Sequence, residues 1–188
     1  WETILTADLV GISSITSTVT EAYKIISRIK TFNPSIPTVI GGPHVTFLAD
    51  EALTQGADFV VRGEGDITFP ELLNWLEDGQ KDIREIDGIS YKIGNKIFHN
   101  KDRAPFNDLD SLPFPDFTLI RRYDKIANIA LQTSRGCPFE CKFCSVIKMF
   151  GRHCRFHSID YTIEEIRYLK NILGKKMIFF YDDNFCIN

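Results

Sequence analysis

Over residues 1–80, short apolar runs alternate with segments of helical period, and this alternation limits the fold more than any other feature of the chain. Leu9 to Ile12 reads as a buried strand. The segment after it sets Ala22, Ile25, Ile26 and Ile29 at helical spacing and stops before Pro34. Thr38 to Ile40 makes a second strand, Ala49 to Gln55 a short helix closed by Gly56, and Phe59 to Val61 a third strand. A further helix is expected from Thr68, with Thr68 and Glu71 at capping-box spacing around Pro70, an apolar face of Phe69, Leu72, Leu73 and Leu76, and Gly79 as its end. Strands joined by helices pair in parallel, which predicts a doubly wound α/β unit whose ligands bind beyond the carboxyl ends of the strands.

The pattern changes after Gly79. Ile89 to Ile93 and Lys96 to His99 form a hairpin around Gly94 and Asn95. The stretch from Ala104 to Phe117, with Pro105, Pro113 and Pro115 among acidic residues, reads as an extended linker. Beyond it, Ile126 to Thr133 reads as a strand, Ile159 to Leu173 as an amphipathic helix and Met177 to Tyr181 as another buried strand. The expected organisation is an α/β domain over residues 1–80, a hairpin and proline-rich linker over 81–122, and the start of a second β/α series over 123–188.

A chain of 188 residues that is 44% hydrophobic and 25% charged can bury a core. A net charge of −3 gives no electrostatic reason to expect nucleic acid or an anionic membrane as partner. No apolar run approaches the roughly 18 residues of a membrane span, and the first residues carry no signal-like stretch, so the chain reads as soluble and cytoplasmic. A start at Trp1 and a stop just after a strand read as the cut ends of a longer protein. Three of the five cysteines lie within eight residues, which points to metal or catalysis rather than a disulfide framework.

That segment, Cys137-Pro138-Phe139-Glu140-Cys141-Lys142-Phe143-Cys144, follows a strand directly. Three local thiolates can hold three corners of a 4Fe-4S cubane and leave one iron open, and an open iron suggests chemistry. Two plainer readings stay open at this point. His153, Cys154 or His157 would complete a structural zinc site, and Cys154 or Cys186 would complete a four-cysteine cluster. Neither a GxxxxGK[ST] phosphate loop nor a GxSxG elbow occurs, which removes common NTPase and hydrolase classes.

With an aromatic at Phe143, the spacing of Cys137, Cys141 and Cys144 resembles the signature of the radical S-adenosylmethionine superfamily. The resemblance implies a 4Fe-4S cluster on these three cysteines, S-adenosylmethionine on the open iron, and reductive cleavage to a 5′-deoxyadenosyl radical. Phe143 would then lie against the adenine. The segment Tyr181-Asp182-Asp183-Asn184 stands where the superfamily places polar groups around the methionine ammonium, so Asp182, Asp183 and Asn184 are the candidates there.

The first domain carries a second resemblance. Ser13, Ser14 and Thr16 end one strand and Gly41, Gly42 and Pro43 end the next. Taken alone, paired glycines mark a tight turn. Serine, an aliphatic residue, a gap and then Gly-Gly is nevertheless similar to flavodoxin-like cobalamin-binding domains, where hydroxyls meet the nucleotide tail and glycines make room; Glu64 would help close over that tail. The Asp-x-His-x-x-Gly element that supplies a lower cobalt ligand is absent, and so are the domain's first two strands. His44 reads as a loop histidine. Gly63-Glu64-Gly65 lacks the third glycine of a dinucleotide fingerprint, since Thr68 stands there.

The order of these parts resembles the cobalamin-dependent radical S-adenosylmethionine enzymes over essentially the whole chain. The expected fold is a partial flavodoxin-like (Rossmann-like) cobalamin-binding domain followed by the start of a radical SAM (β/α) partial TIM-type barrel. The resemblance implies 4Fe-4S, S-adenosylmethionine and cobalamin as cofactors. It also implies a small-molecule substrate and an electron donor such as flavodoxin or ferredoxin. Methyl transfer to an unactivated centre is the expected activity, cyclisation the alternative, and a non-catalytic zinc module the rival of another class. A piece with two barrel strands is not expected to turn over alone.

Overall fold

The computed structural model describes every residue from 1 to 187 except Lys175. The chain divides into two compact units, residues 1–105 and 106–188, each with its own core.

The first unit is built on a five-stranded sheet in the order β1-β2-β3-β4-β5. After a single-turn helix, α1 (Glu2–Leu5), come β1 (Val10–Ser13), α2 (Val19–Phe32), β2 (Thr38–Gly41), α3 (Pro43–Phe47), α4 (Ala49–Thr54), β3 (Phe59–Val61) and α5 (Gly65–Asp78), then β4 (Ile89–Ile93) and β5 (Lys96–His99). The first three strands are parallel, with Ser13 opposite Gly41 and Ile40 opposite Val60. Strand alternation feeds two cores, as expected of a parallel sheet covered on both faces. Ile40 and Val60 pack with Ala22 and Ile26 of α2 and with Ala52 and Leu53 of α4, while Val39 and Val61 pack with Leu72 of α5 on the other face. Each fully buried Ile, Leu or Val among them contributes about 1.5–3 kcal/mol.

Two sequence expectations need correcting. The hairpin over residues 89–99 is part of the first unit: Ile89, Ser90 and Tyr91 are buried and pair antiparallel with Val61, Val60 and Phe59. Arg62, at the end of β3, fixes that join by donating to the carbonyls of Ile89 (2.9 Å) and Asn100 (2.6 Å). Helix α5 starts at Gly65 rather than Thr68, with Pro70 inside it. The capping box does not form because tertiary partners take both side chains. Thr68 is buried and donates to the Asp87 carbonyl (3.0 Å), and Glu71 pairs with Arg103. The first unit therefore runs to Pro105, past the boundary expected at residue 80.

In the second unit, the proline-containing stretch 106–127 carries no strand or α-helix and makes three short 3₁₀ turns. They lead to β6 (Asn128–Leu131), β7 (Ser134–Arg135), α6 (Val146–Phe150), β8 (Arg155–Phe156), α7 (Ile159–Leu173) and β9 (Met177–Phe180). Strand β6 pairs in parallel with β9 across α7, a β/α/β crossover whose core is Ile129, Leu131, Leu169 and Leu173. Ser158 caps α7 by accepting from the Tyr161 amide at 3.1 Å. Alternation puts Ile178 and Phe180 against α7 and leaves Met177 and Phe179 exposed on the other face of the strand. No helix among the described residues is long and apolar enough to cross a membrane.

Candidate functional site

The first group of candidate residues gathers at the carboxyl ends of the parallel strands. Ser13 and Gly41 are register partners, and the Ser14 amide donates to the Gly41 carbonyl at 3.0 Å. Gly42 has φ of +100° and ψ of 176°. A Cβ there would lie 2.5 Å from the Ser14 carbonyl oxygen, so only glycine lets the two strand exits approach. Gly41 is not confined in this way, since its Cβ would meet nothing nearer than the Val61 carbonyl at 3.6 Å. Pro43 opens α3 and Glu64 stands at the N-cap position of α5, at the end of the third parallel strand.

Thr16 is already engaged within the fold. Its hydroxyl meets His44 Nδ1 at 3.1 Å, while His44 Nε2 meets Glu51 at 3.2 Å. The histidine that reads as a loop residue in the sequence is thus an internal tie between the β1 and β2 exits and α4. The His44 contact, then the neighbouring Tyr23 hydroxyl, holds the Glu51 carboxyl below its ordinary range. Thr46, which the sequence did not single out, donates to the Gly42 carbonyl at 2.9 Å and accepts from the Gly63 amide at 3.0 Å. It joins the loops after β2 and β3. The only advance signal is its place one turn beyond Gly42, from which a helical hydroxyl reaches back to a carbonyl.

The fit to a corrin tail rests on one orphaned atom. Ser14 is 3% exposed and its Oγ is buried without a hydrogen-bond partner. A buried hydroxyl without a partner is costly, and its position beside Ser13 and the glycines suits a polar ligand atom.

The second group lies where β6 ends. The antiparallel pair of β7 with β8 closes the base of a loop holding all three clustered cysteines. Gly136 is essential there: its φ is +93°, and a Cβ would lie 2.6 Å from the His153 carbonyl. The amide of Cys137 donates to the Gly151 carbonyl (3.4 Å) and that of Cys144 to the Cys141 carbonyl (3.1 Å). All three thiols are free; Cys141 is exposed and the others half-buried. As a donor set they fit a cluster with one open iron. Among the described residues no three His, Cys, Asp or Glu side chains group closely enough to hold a metal ion, so the thiols converge only if the loop side chains turn. The same holds for the zinc sets. Cys154 instead donates to the Gly136 carbonyl (3.5 Å), and burial, then the Cys137 charge, pushes its thiol up. Phe143 is 93% exposed and packs in no core.

Of the acidic pair, Asp182 is engaged within the fold. Its Oδ1 accepts from the amide and hydroxyl of Thr133 (2.8 and 3.1 Å) and from the amide and hydroxyl of Ser134. This knot ties the exit of β9 to that of β6, and Oδ2 is left buried without a partner. Burial, then the Asp182 charge, raises the carboxyl of Asp183. Two crowded carboxylates, one oxygen of them unpartnered, suit a cationic group. Asn184 lies half-buried next to them.

The fold and these two groups define a two-unit α/β protein: a sheet parallel over its first three strands, with helices on both faces, followed by a β/α segment with a three-cysteine loop. Residues 4–73 match the B12 binding domain family. An uncharacterized methyltransferase of Pyrococcus horikoshii is 38% identical over 187 residues, which are 96% of this chain and 40% of that protein. The anaerobic magnesium-protoporphyrin IX monomethyl ester cyclase of Rubrivivax gelatinosus is 32% identical over 179 residues, 89% of this chain and 32% of the enzyme. The solved structure of OxsB, a cobalamin-dependent S-adenosylmethionine radical enzyme with aqua-cobalamin and S-adenosylmethionine bound, superposes with a TM-score of 0.80 at 22% identity, over 98% of this chain and 27% of that one. The chain is similar to these proteins along most of its length, and it spans less than half the length of each.

Proposed function

We propose that this chain is the cofactor-holding part of a cobalamin-dependent radical S-adenosylmethionine enzyme acting in methyl transfer to an unactivated centre. The observation that carries the reading is the three-cysteine loop, free of disulfides and closed at its base by β7 and β8, in a chain whose first unit matches the B12 binding domain. Cys137, Cys141 and Cys144 would hold the 4Fe-4S cluster, with Phe143 exposed in the same loop for an adenine face. Asp183 and Asn184 would meet the methionine ammonium. Asp182 supports them from behind through its bonds to Thr133 and Ser134. In the first unit, Ser13, Ser14, Gly41, Gly42, Pro43 and Glu64 would line the corrin tail, with Thr16 acting through His44 rather than by contact. When bound, the cluster supplies the electron that cleaves S-adenosylmethionine and cobalamin supplies a methyl carrier; the chain's own task is to hold and orient them and exclude water.

Relatives named as methyltransferases and as a cyclase keep ring closure as the second reading. A small-molecule substrate, a flavodoxin or ferredoxin donor and a cytoplasmic setting belong to the same proposal. Anaerobic reconstitution with iron and sulfide tests the cluster: absorbance near ~400 nm is expected of the chain and its loss from Cys141→Ala. Equal spectra would remove the reading, and stoichiometric zinc without that absorbance would replace it with a structural metal site. In the full-length protein, formation of 5′-deoxyadenosine by the unaltered enzyme and not by Cys141→Ala tests the chemistry.

A further inference from the structure

A cleft of about 270 Å³ opens on the α7 face of the second unit. Its apolar wall includes Phe156, Ile163, Phe180 and Phe185, and its polar wall is Thr133, Ser134, His157 and Thr162. Phe180 packs against the buried cluster that includes Leu169 and Leu173 of α7, whereas Phe179, its neighbour in β9, is exposed. The polar wall has one property in common: every side-chain proton is already committed. Thr133 Oγ1 and Ser134 Oγ donate to Asp182 (3.1 and 2.7 Å), and Thr162 Oγ1 donates to the Ser158 carbonyl (3.0 Å).

His157 follows the same rule. Its Nδ1 lies 3.1 Å from Asp110 Oδ1, and hydrogen bonding from Ser158, then from His157, holds the Asp110 carboxyl below its ordinary range. Asp110 is therefore a carboxylate, an acceptor only, and Nδ1 carries the proton. His157 is fixed further by stacking on Tyr161 at 4.1 Å, with its side chain 9% exposed. Burial pushes its pKa down, against the pull of Asp110 and Asp182 and with that of Arg135, so the ring is neutral near pH 7 and Nε2 presents a lone pair. A hydroxyl has one proton and a neutral imidazole one N–H. With these spent, the lining side chains offer acceptors and no donor.

We propose that this cleft binds a small apolar molecule or moiety through a single N–H or O–H donor directed at His157 and the neighbouring hydroxyls. The site requires neither the cluster nor the corrin. A ligand that brings only acceptors would leave lone pairs facing lone pairs, whereas one that brings a donor satisfies them. The discrimination is built by Asp110, Asp182 and the Ser158 carbonyl, which consume the protons.

The probe pair is 2-naphthol and 2-methoxynaphthalene, which share an apolar body and differ in the donor. In titrations of the ¹⁵N-labelled chain, 2-naphthol should shift the amides of Thr133, Ser134, Thr162 and Ile163 and bind about tenfold tighter than the ether. His157→Phe keeps a ring against Tyr161 and should bring the two affinities within about twofold of each other, through loss of naphthol binding. Thr162→Val, which removes an acceptor at constant shape, should weaken naphthol about threefold and leave the ether unchanged. The preference should also fade as pH falls and Nε2 gains a proton. Equal affinities in the unaltered chain, a preference that survives His157→Phe in a folded protein, or no binding of either probe would each overturn the assignment.

Discussion

Replacing Gly42 by alanine should destabilise the first unit sharply, while the same change at Gly41 should not. Gly42 has φ of +100° and ψ of 176°, a region essentially reserved for glycine, where a side chain costs about 1–3 kcal/mol. The added Cβ would also lie 2.5 Å from the Ser14 carbonyl oxygen and 3.0 Å from the Ser14 nitrogen, both backbone atoms with no rotamer to relieve them. The chain must then part at the β1 and β2 exits, and the bond from the Ser14 amide to the Gly41 carbonyl is first at risk, worth about 1 kcal/mol. Together these give about 2–4 kcal/mol. For a unit of this size that is a fall in Tm of roughly 10–20 °C. At Gly41 the nearest contacts would be ordinary, 3.6 and 3.9 Å to Val61, so its loss should stay below about 1 kcal/mol. Thermal and urea unfolding followed by circular dichroism would read both. A Gly42→Ala protein within about 0.5 kcal/mol of the parent, or a Gly41→Ala protein equally impaired, would show that the close approach of Gly42 to Ser14 does not limit stability.

Asp182→Ala removes the acceptor of four hydrogen bonds and leaves the amides of Thr133 and Ser134 unpaired, so urea unfolding of the second unit should lose about 3 kcal/mol, with Asp182→Asn intermediate. Glu165 is buried in α7 with no ion-pair partner among the described residues, and burial raises its carboxyl. Because its folded pKa lies above its unfolded one, its contribution is fully present below the unfolded value of about 4.3 and is lost as pH rises through the folded value. Glu165→Gln should therefore raise Tm at pH 7 and leave it unchanged at pH 3. Asp110 has the opposite sign: hydrogen bonding, first from Ser158, lowers its carboxyl, so its contribution is present above the unfolded value and lost as pH falls through the folded one. Asp110→Asn should lower Tm at pH 6 and lose that effect toward pH 2, in scans across pH.

The sequence alone determined the parts whose cause is local. The hairpin over Ile89 to His99 and the helix over Ile159 to Leu173 stand where their patterns put them, because a two-residue turn and a capped amphipathic stripe need no distant partner. The spacing of Cys137, Cys141 and Cys144 is likewise visible in the sequence, but the structure leaves the three thiols ungrouped. Tertiary structure decided what each residue is used for. Thr68 and Glu71 look like a capping box until Arg103, 32 residues beyond Glu71, takes both. The hairpin reads the same alone or as sheet, and Arg62 made it sheet. Asp182 and Asp183 are indistinguishable neighbours in sequence. In the fold, the exit of β6 brings two amides and two hydroxyls onto the first and leaves the second beside an unneutralised charge. The serines, glycines and acidic residues could be named from order and type, but long-range approach alone shows that Gly42 is held by Ser14 and Thr16 by His44, because it brings together atoms that chain position keeps apart.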